Sequence, residues 1–113
     1  MSQDIKVKKD SKILDAGCGT GLVAQVLSDM NFKNLVGLDY SIDMLKIAKN
    51  KKIYKRLIQE SLNKKTSLRS NQFDIVLCTG VLTSGHVGAK AINELIRVTK
   101  NKGYLILSIA ESI

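Results

Sequence analysis

The chain has few of the residues that build metal centres or disulfide frameworks. Its 113 residues include one histidine and two cysteines, Cys18 and Cys78. A structural zinc site takes four ligands, mostly cysteine and histidine, and a disulfide framework takes more than one cysteine pair. We therefore expect no bound metal and a reducing, cytoplasmic compartment.

Long apolar runs are absent as well. No run reaches the ~18 residues that a membrane-spanning helix requires, and residues 1–12 lack the apolar stretch of a secretory signal. The hydrophobic fraction of 44% is typical of a globular domain with its own core. We expect one domain over residues 1–113, without a membrane partner, in which residues 1–11 form a flexible arm.

Aromatic residues make up only 4% of the chain, although its net charge is +8. Lysine supplies most of that charge, notably in residues 46–56 and 64–69. Nucleic-acid recognition more often uses arginine forks and stacked aromatic rings. We interpret these segments as a solvated face, with an anionic partner (RNA, an acidic protein or a membrane surface) as the less favoured alternative.

Residues 12–21 read Lys-Ile-Leu-Asp-Ala-Gly-Cys-Gly-Thr-Gly, an apolar pair, an acid and three alternating glycines. Apolar residues at helical spacing follow, so we predict a strand, a tight turn and a helix to about residue 30. Such a turn places backbone N–H groups and the positive helix end beside a ligand. The predicted core stripe of the helix is Leu22, Val23, Val26, Leu27 and Met30, with Gln25, Ser28 and Asp29 facing away.

The spacing of the glycines disfavours two common nucleotide motifs. A dinucleotide fingerprint, G-x-G-x-x-G, has its third glycine one residue later, and a P-loop has a lysine after its last glycine. The pattern that remains is Asp-x-Gly-x-Gly-x-Gly at residues 15–21. A carboxylate at this strand end attracts a ligand with an ammonium group and repels a pyrophosphate.

Strand and helix patterns alternate along the rest of the chain, which indicates an α/β fold with a parallel sheet. Further strands are predicted at residues 35–39, 55–59, 73–79 and 104–109. A second helix, capped by Ser41, is predicted to reach Asn50 with a buried stripe of Met44, Leu45, Ile47 and Ala48. A third is predicted at residues 89–99, ended by a glycine turn at residues 101–103. Residues 61–72 and 80–88 are predicted loops.

Residues 13–21, 36–45, 73–77 and 94–103 resemble the class I S-adenosylmethionine-dependent methyltransferases in order and spacing. Residues 79–87, Thr-Gly-Val-Leu-Thr-Ser-Gly-His-Val, are similar to methyltransferase-like proteins of the Williams–Beuren region. The resemblance implies a Rossmann-like sheet in the order 3-2-1-4-5, the cofactor S-adenosyl-L-methionine and methyl transfer. It does not identify the acceptor: a small molecule is slightly favoured, and protein and RNA stay open.

The resemblance also assigns cofactor contacts by position. Asp15 and the backbone of Gly17 and Gly19, with Cys18 between them, would face the methionine end. Asp39 would bind the ribose hydroxyls, a role that an acid at this strand end has in nucleotide-binding folds. The other assigned residues are Tyr40 and Met44 along the adenosine, Glu60 and Ser61 near the adenine, and Thr79 and Gly80 at the pocket floor.

Several of these residues have a simpler interpretation. A helix-capping role for Asp39 and a core position for Met44 are the less favoured alternatives, whereas Glu60 would serve equally as a surface acid. Cys18 is better explained as a small turn residue than as a nucleophile, because no base lies near it in the sequence. His86 is a weak candidate for a general base and is more readily a loop-orienting residue.

The family resemblance implies a helical segment before the first strand and an antiparallel strand pair after the fifth, which this chain lacks. Residues 104–109 would then form an apolar edge that can pair with another chain. We therefore expect a fragment, a natural truncation or a chain that needs a partner. The alternative functions are a non-catalytic S-adenosylmethionine-binding module and a basic RNA- or protein-interaction domain.

Overall fold

The computed structural model describes residues 7–79 and 88–108. The elements are β1 (Ile13–Ala16), α1 (Leu22–Asp29), β2 (Leu35–Asp39), α2 (Ile42–Asn50), β3 (Arg56–Gln59), β4 (Phe73–Thr79), α3 (Ala89–Val98) and β5 (Thr99–Ser108). The five strands pair in parallel in the order β3-β2-β1-β4-β5, which confirms the predicted Rossmann-like sheet. Within the described residues, no helix is long and apolar enough to cross a membrane.

Strand β1 lies at the centre of the sheet, and all four of its residues are buried. Alternate side chains point to opposite faces of a strand, so β1 contributes to two core layers. Ile13 packs with Ala24 of α1, whereas Leu14 packs with Leu95 of α3. Parallel pairing places the carboxyl ends of all five strands at one edge of the sheet. Asp15, Asp39 and Thr79 therefore lie at or next to that edge.

The predicted core stripe of α1 is wrong in part. Leu22, Val26 and Met30 are 71%, 58% and 51% exposed, and the buried residues of the helix are Ala24 and Ser28. The inner face of the helix is made instead by these two small residues and by Leu27, which is partly buried and packs against the core cluster that contains Ala24. The predicted stop at Asn31 is confirmed, because Asn31 has φ 72° and the Phe32 N–H donates to the Leu27 carbonyl at 2.9 Å.

Helix α2 begins as predicted, since the Ser41 hydroxyl accepts a hydrogen bond from the Met44 N–H at 3.3 Å. Its buried residues are Leu45 and Ala48. Met44 and Ile47 are 43% and 49% exposed, so their placement in a buried stripe is wrong. Its main contacts with the sheet are to β2 and the edge strand β3, and a narrow stripe is enough to cover that part.

The predicted glycine turn at residues 101–103 is also wrong. Helix α3 ends at Val98, Thr99 is already extended, and residues 99–103 belong to β5. Gly103 serves a different purpose, because a Cβ at this position would lie 2.6 Å from the Asp74 carbonyl oxygen. The glycine therefore permits close approach of two strands, next to a register shift between Phe73 and Ile75.

The described part of the predicted N-terminal arm is ordered by local hydrogen bonds. The Ser11 N–H donates to the Lys8 carbonyl at 3.0 Å, and the Lys8 N–H donates to the Ser11 hydroxyl at 3.1 Å. Ser11 is also buried. Residues 8–11 thus form a turn at the start of β1.

Residues 61–72 contain no helix or strand, as predicted, but α3 holds them against the core. Glu94 is only 7% exposed, and its Oε2 accepts from the Thr66 N–H at 2.8 Å and from the Thr66 hydroxyl at 2.7 Å. Arg97 donates to Glu94 at 2.6 Å and to the Leu68 carbonyl at 2.7 Å. The Arg97 and Thr66 hydrogen bonds outweigh desolvation and hold the pKa of Glu94 at about 2.

Replacing Glu94 by glutamine (E94Q) should lower the free energy of unfolding at neutral pH by about 2 kcal/mol, because several hydrogen bonds to a buried charge are weakened. The carboxylate's stabilisation is fully present above pH 4.5 and is lost as the pH falls towards 2. The difference in free energy of unfolding between E94Q and the unmodified chain, measured by urea denaturation, should become smaller as the pH falls from 4.5 towards 2.

The matched control is K100Q, which removes the exposed ion pair between Lys100 and Asp74. It should cost less than about 1 kcal/mol, since both side chains are well solvated. Equal losses in the two variants would contradict the role assigned to Glu94.

Candidate functional site

The glycine turn joins β1 to α1 in a conformation that glycine adopts at least cost. Gly17, Gly19 and Gly21 have φ values of 73°, 56° and 93°, in the left-handed region that side chains disfavour. The N–H groups of Gly17 and Cys18 both donate to the Leu38 carbonyl, at 2.7 and 3.0 Å. The turn is therefore fastened to the end of β2.

The Asp39 side chain also hydrogen-bonds to this turn. Its Oδ2 accepts from the Gly19 N–H at 2.8 Å, and its Oδ1 accepts from the Ser41 N–H at 2.9 Å. Asp39 thus connects the glycine turn to the start of α2. A carboxylate offers about four acceptor positions, so this half-buried group keeps capacity for ribose hydroxyls, the role that the sequence predicts.

Asp15 lies beneath the turn and is only 2% exposed. Its Oδ2 accepts from the Tyr54 hydroxyl at 2.8 Å, whereas Oδ1 has no hydrogen-bond partner in the part of the chain that the structure describes. Burial raises the pKa of Asp15, the Tyr54 hydrogen bond lowers it, and the negative charge of Asp39 raises it. A buried oxygen without a partner is rare in folded proteins and indicates a position where a ligand or water completes the structure.

Tyr54 is the residue of this site that sequence reasoning missed. It lies between α2 and β3, in the lysine-rich segment, and no local motif marks it. The available signal is Gly37 in the middle of β2, since a glycine inside a strand often marks close approach of another group. A Cβ at Gly37 would lie 2.8 Å from the Tyr54 ring.

Both cysteines are free and buried. Burial, followed by the charges of Asp15 and Asp39, raises the pKa of Cys18 to about 12. Burial and Asp15 raise the pKa of Cys78 to about 11. Cys18 is therefore a neutral thiol at physiological pH, in agreement with its interpretation as a small turn residue.

Tyr40 and Met44 form an open surface next to Asp39. Tyr40 is 72% exposed and Met44 is 43% exposed. The Tyr40 carbonyl accepts from the Gln59 side chain at 3.2 Å, which ties the start of α2 to β3. Both side chains are thus accessible at the edge where the sequence predicts adenosine.

The remaining predicted contacts lie at the ends of β3 and β4. Glu60 accepts from the Ser67 N–H at 2.9 Å and from the Ser67 hydroxyl, so its carboxylate is engaged with the following loop. The Ser61 hydroxyl accepts from the Asn63 N–H at 3.1 Å. Thr79 is half-buried and pairs with Ser108 of β5. Gly80 and His86 lie outside the described residues.

Asp15 and Asp39 form no ion pair within residues 7–79 and 88–108. The ion pairs there join Arg97 to Glu94 and Lys100 to Asp74. The Lys51 side chain lies beside the turn, since its Cδ would be 3.6 Å from a Cβ at Gly21. The arrangement thus favours a ligand with positive charge and disfavours one with a pyrophosphate.

Comparison with known proteins agrees with this chemistry. Residues 14–107 match the family described as "Methyltransferase domain". Methyltransferase-like protein 27 of Homo sapiens is 41% identical over 97 residues, which are 85% of this chain and 39% of that protein. The tRNA U34 carboxymethyltransferase of Helicobacter pylori (strain G27) is 32% identical over 108 residues, covering 88% of this chain and 40% of that protein.

Solved structures with a similar fold are also found. An S-adenosylmethionine-dependent methyltransferase from Aquifex aeolicus superposes with a TM-score of 0.75 at 25% identity, over 93% of this chain and 59% of that one. This chain spans about two fifths of the length of the curated relatives it matches. By its matching residues, sheet order and glycine turn, the chain belongs to the methyltransferase family, in the class I S-adenosylmethionine-dependent group.

Proposed function

We propose that this chain binds S-adenosyl-L-methionine at the carboxyl ends of β1 and β2 and forms the cofactor-binding core of a methyltransferase. The observation that supports this most directly is the pair of carboxylates, Asp15 and Asp39, which flank the glycine turn and form no ion pair among the described residues. The cofactor has positive charge on its sulfonium and ammonium groups, which complements this edge.

The geometry suggests how the chain would hold the cofactor. Asp39 would accept the ribose hydroxyls with the acceptor positions that Gly19 and Ser41 leave free. Helix α1 has no side-chain cap at Gly21 and no acid in its first turn, so its first N–H groups suit the carboxylate of the methionine end. Tyr40 and Met44 would cover the adenosine, Met44 with a polarisable sulfur beside the ring.

When bound, the cofactor supplies a methyl group on positively charged sulfur. The contribution of this chain would be to fix the cofactor's position at the sheet edge and to align its methyl group with the acceptor. Proximity and alignment alone lower the barrier to such a transfer considerably, so the proposal needs no dedicated base among the described residues. The acceptor is left unassigned, with a small molecule favoured.

A second candidate is an S-adenosylmethionine-binding module that acts only with a partner chain. Strand β5 is at the edge of the described sheet, and its Ile106 and Leu107 are 51% and 37% exposed. An apolar edge strand is a template for pairing with another chain. Methyl transfer by the isolated chain separates the two candidates, because only the first predicts turnover without a partner.

The cofactor proposal is tested by calorimetric titration of S-adenosylmethionine and S-adenosylhomocysteine into the chain, with its mass in solution measured alongside. We expect micromolar dissociation constants for a monomer or dimer. A folded chain that binds neither ligand would overturn the proposal.

Replacing Asp39 by alanine should weaken binding of S-adenosylhomocysteine by about 1–3 kcal/mol, because ribose donors lose a charged, half-buried acceptor and the turn loses its hydrogen bond at Gly19. The matched control is D43A, which removes an exposed acid four residues later, in the first turn of α2. Titration calorimetry should show a large loss for D39A and little change for D43A. Unchanged affinity in D39A would refute the ribose assignment.

Replacing Asp15 by asparagine should weaken binding of S-adenosylhomocysteine more than binding of adenosine, because only the former has an ammonium group. Both affinities are measured by calorimetry on the same preparation, and their ratio shows whether Asp15 interacts with the ammonium group. Equal losses for both ligands would mean that Asp15 serves the fold alone.

A further inference from the structure

We propose that Tyr54 is a positioning residue for the cofactor site, which orients the Asp15 carboxylate beneath the glycine turn for the ammonium group of the ligand. This inference rests on the proposed binding of S-adenosylmethionine. The added role belongs to a residue that lies outside the glycine motif and the strand ends.

Two glycines make the space through which Tyr54 reaches Asp15. A Cβ at Gly37 would lie 2.8 Å from Tyr54 Cε1, and a Cβ at Gly21 would lie 3.3 Å from both Cε2 and the hydroxyl. The first distance is too short for any side chain, and the second leaves very little room. The ring therefore lies between β2 and the glycine turn, in a slot that side chains at these positions would close.

The hydroxyl at the end of this slot fixes one of the two Asp15 oxygens. Tyr54 donates to Oδ2 at 2.8 Å. Burial and the adjacent Asp15 charge raise the pKa of Tyr54 strongly, so the hydroxyl remains a hydrogen-bond donor throughout the physiological range. Oδ1 is left without a partner in the described part of the chain. An ammonium group would satisfy it, either directly or through one bridging water.

Tyr54 also favours the charged form of Asp15. The titratable groups around this carboxylate are Tyr54, Asp39 and the neutral thiols of Cys18 and Cys78, and the Lys51 side chain approaches the turn at Gly21. Burial raises the Asp15 pKa and the Tyr54 hydrogen bond lowers it. Loss of the hydroxyl should therefore raise the pKa further. Binding that requires ionised Asp15 would then be lost at a higher pH on acidification.

The test is Y54F, which keeps the ring in its slot and removes the hydroxyl. Affinities for S-adenosylhomocysteine and for 5′-methylthioadenosine, which lacks the amino-acid end, are measured from pH 5 to 8 by calorimetry. We expect Y54F to bind S-adenosylhomocysteine roughly threefold to tenfold more weakly, as expected for one lost hydrogen bond. Its binding should also fall off at a higher pH, whereas 5′-methylthioadenosine should bind the variant and the unmodified chain alike.

A double-mutant cycle with D15N separates positioning from general destabilisation. If Tyr54 acts through Asp15, the double variant should bind S-adenosylhomocysteine as D15N does. Additive losses, or equal losses for both ligands in Y54F, would overturn the role of Tyr54 while leaving cofactor binding intact. Failure of the unmodified chain to bind S-adenosylhomocysteine would instead overturn the proposed function, and this inference with it.

Discussion

The hydrogen bonds between the glycine turn and the end of β2 are the constraint on which the site depends. Asp39 accepts a hydrogen bond from the Gly19 N–H. The Leu38 carbonyl accepts from the N–H groups of Gly17 and Cys18, the first two residues after β1. These bonds hold three glycines at positive φ and set where α1 begins. Because Asp39 also accepts from the Ser41 N–H, one carboxylate positions the start of both helices that border the site. The capping interpretation of Asp39 and its proposed role in ribose binding are therefore compatible.

Charge is distributed unevenly over this molecule. The chain has a net charge of +8, yet Asp15 and Asp39 form no ion pair among the described residues. Burying Asp15 opposes its ionisation, and the Tyr54 hydroxyl offsets only part of that cost. Such a carboxylate contributes poorly to stability and is well suited to a cationic ligand, as expected where function takes precedence over stability.

The errors of the sequence analysis concern helix faces more than element positions. Strands β2 and β4 begin and end where predicted, β3 begins one residue later than predicted, and β5 begins at Thr99, five residues before its predicted start. In α1, however, Ala24 and Ser28 are buried while Leu22 and Val26 are exposed. Hydrophobic periodicity identifies a helix, but which of its faces is buried depends on how the helix packs in the tertiary structure. Gly103 gave a wrong turn prediction, because a glycine that allows two strands to approach closely looks the same in the sequence as a glycine that ends a helix.

By itself, the sequence determined the α/β class, the strand–turn–helix unit at residues 12–30 and the acids at or next to the ends of the first two strands. These features depend on period, glycine conformation and helix capping, which act over a few neighbouring residues. Only the tertiary structure decided that Tyr54 would bind Asp15 and that Glu94 would hold Thr66. These partners are 39 and 28 residues apart, and no local pattern specifies which distant side chain will fill a slot that the packed sheet creates.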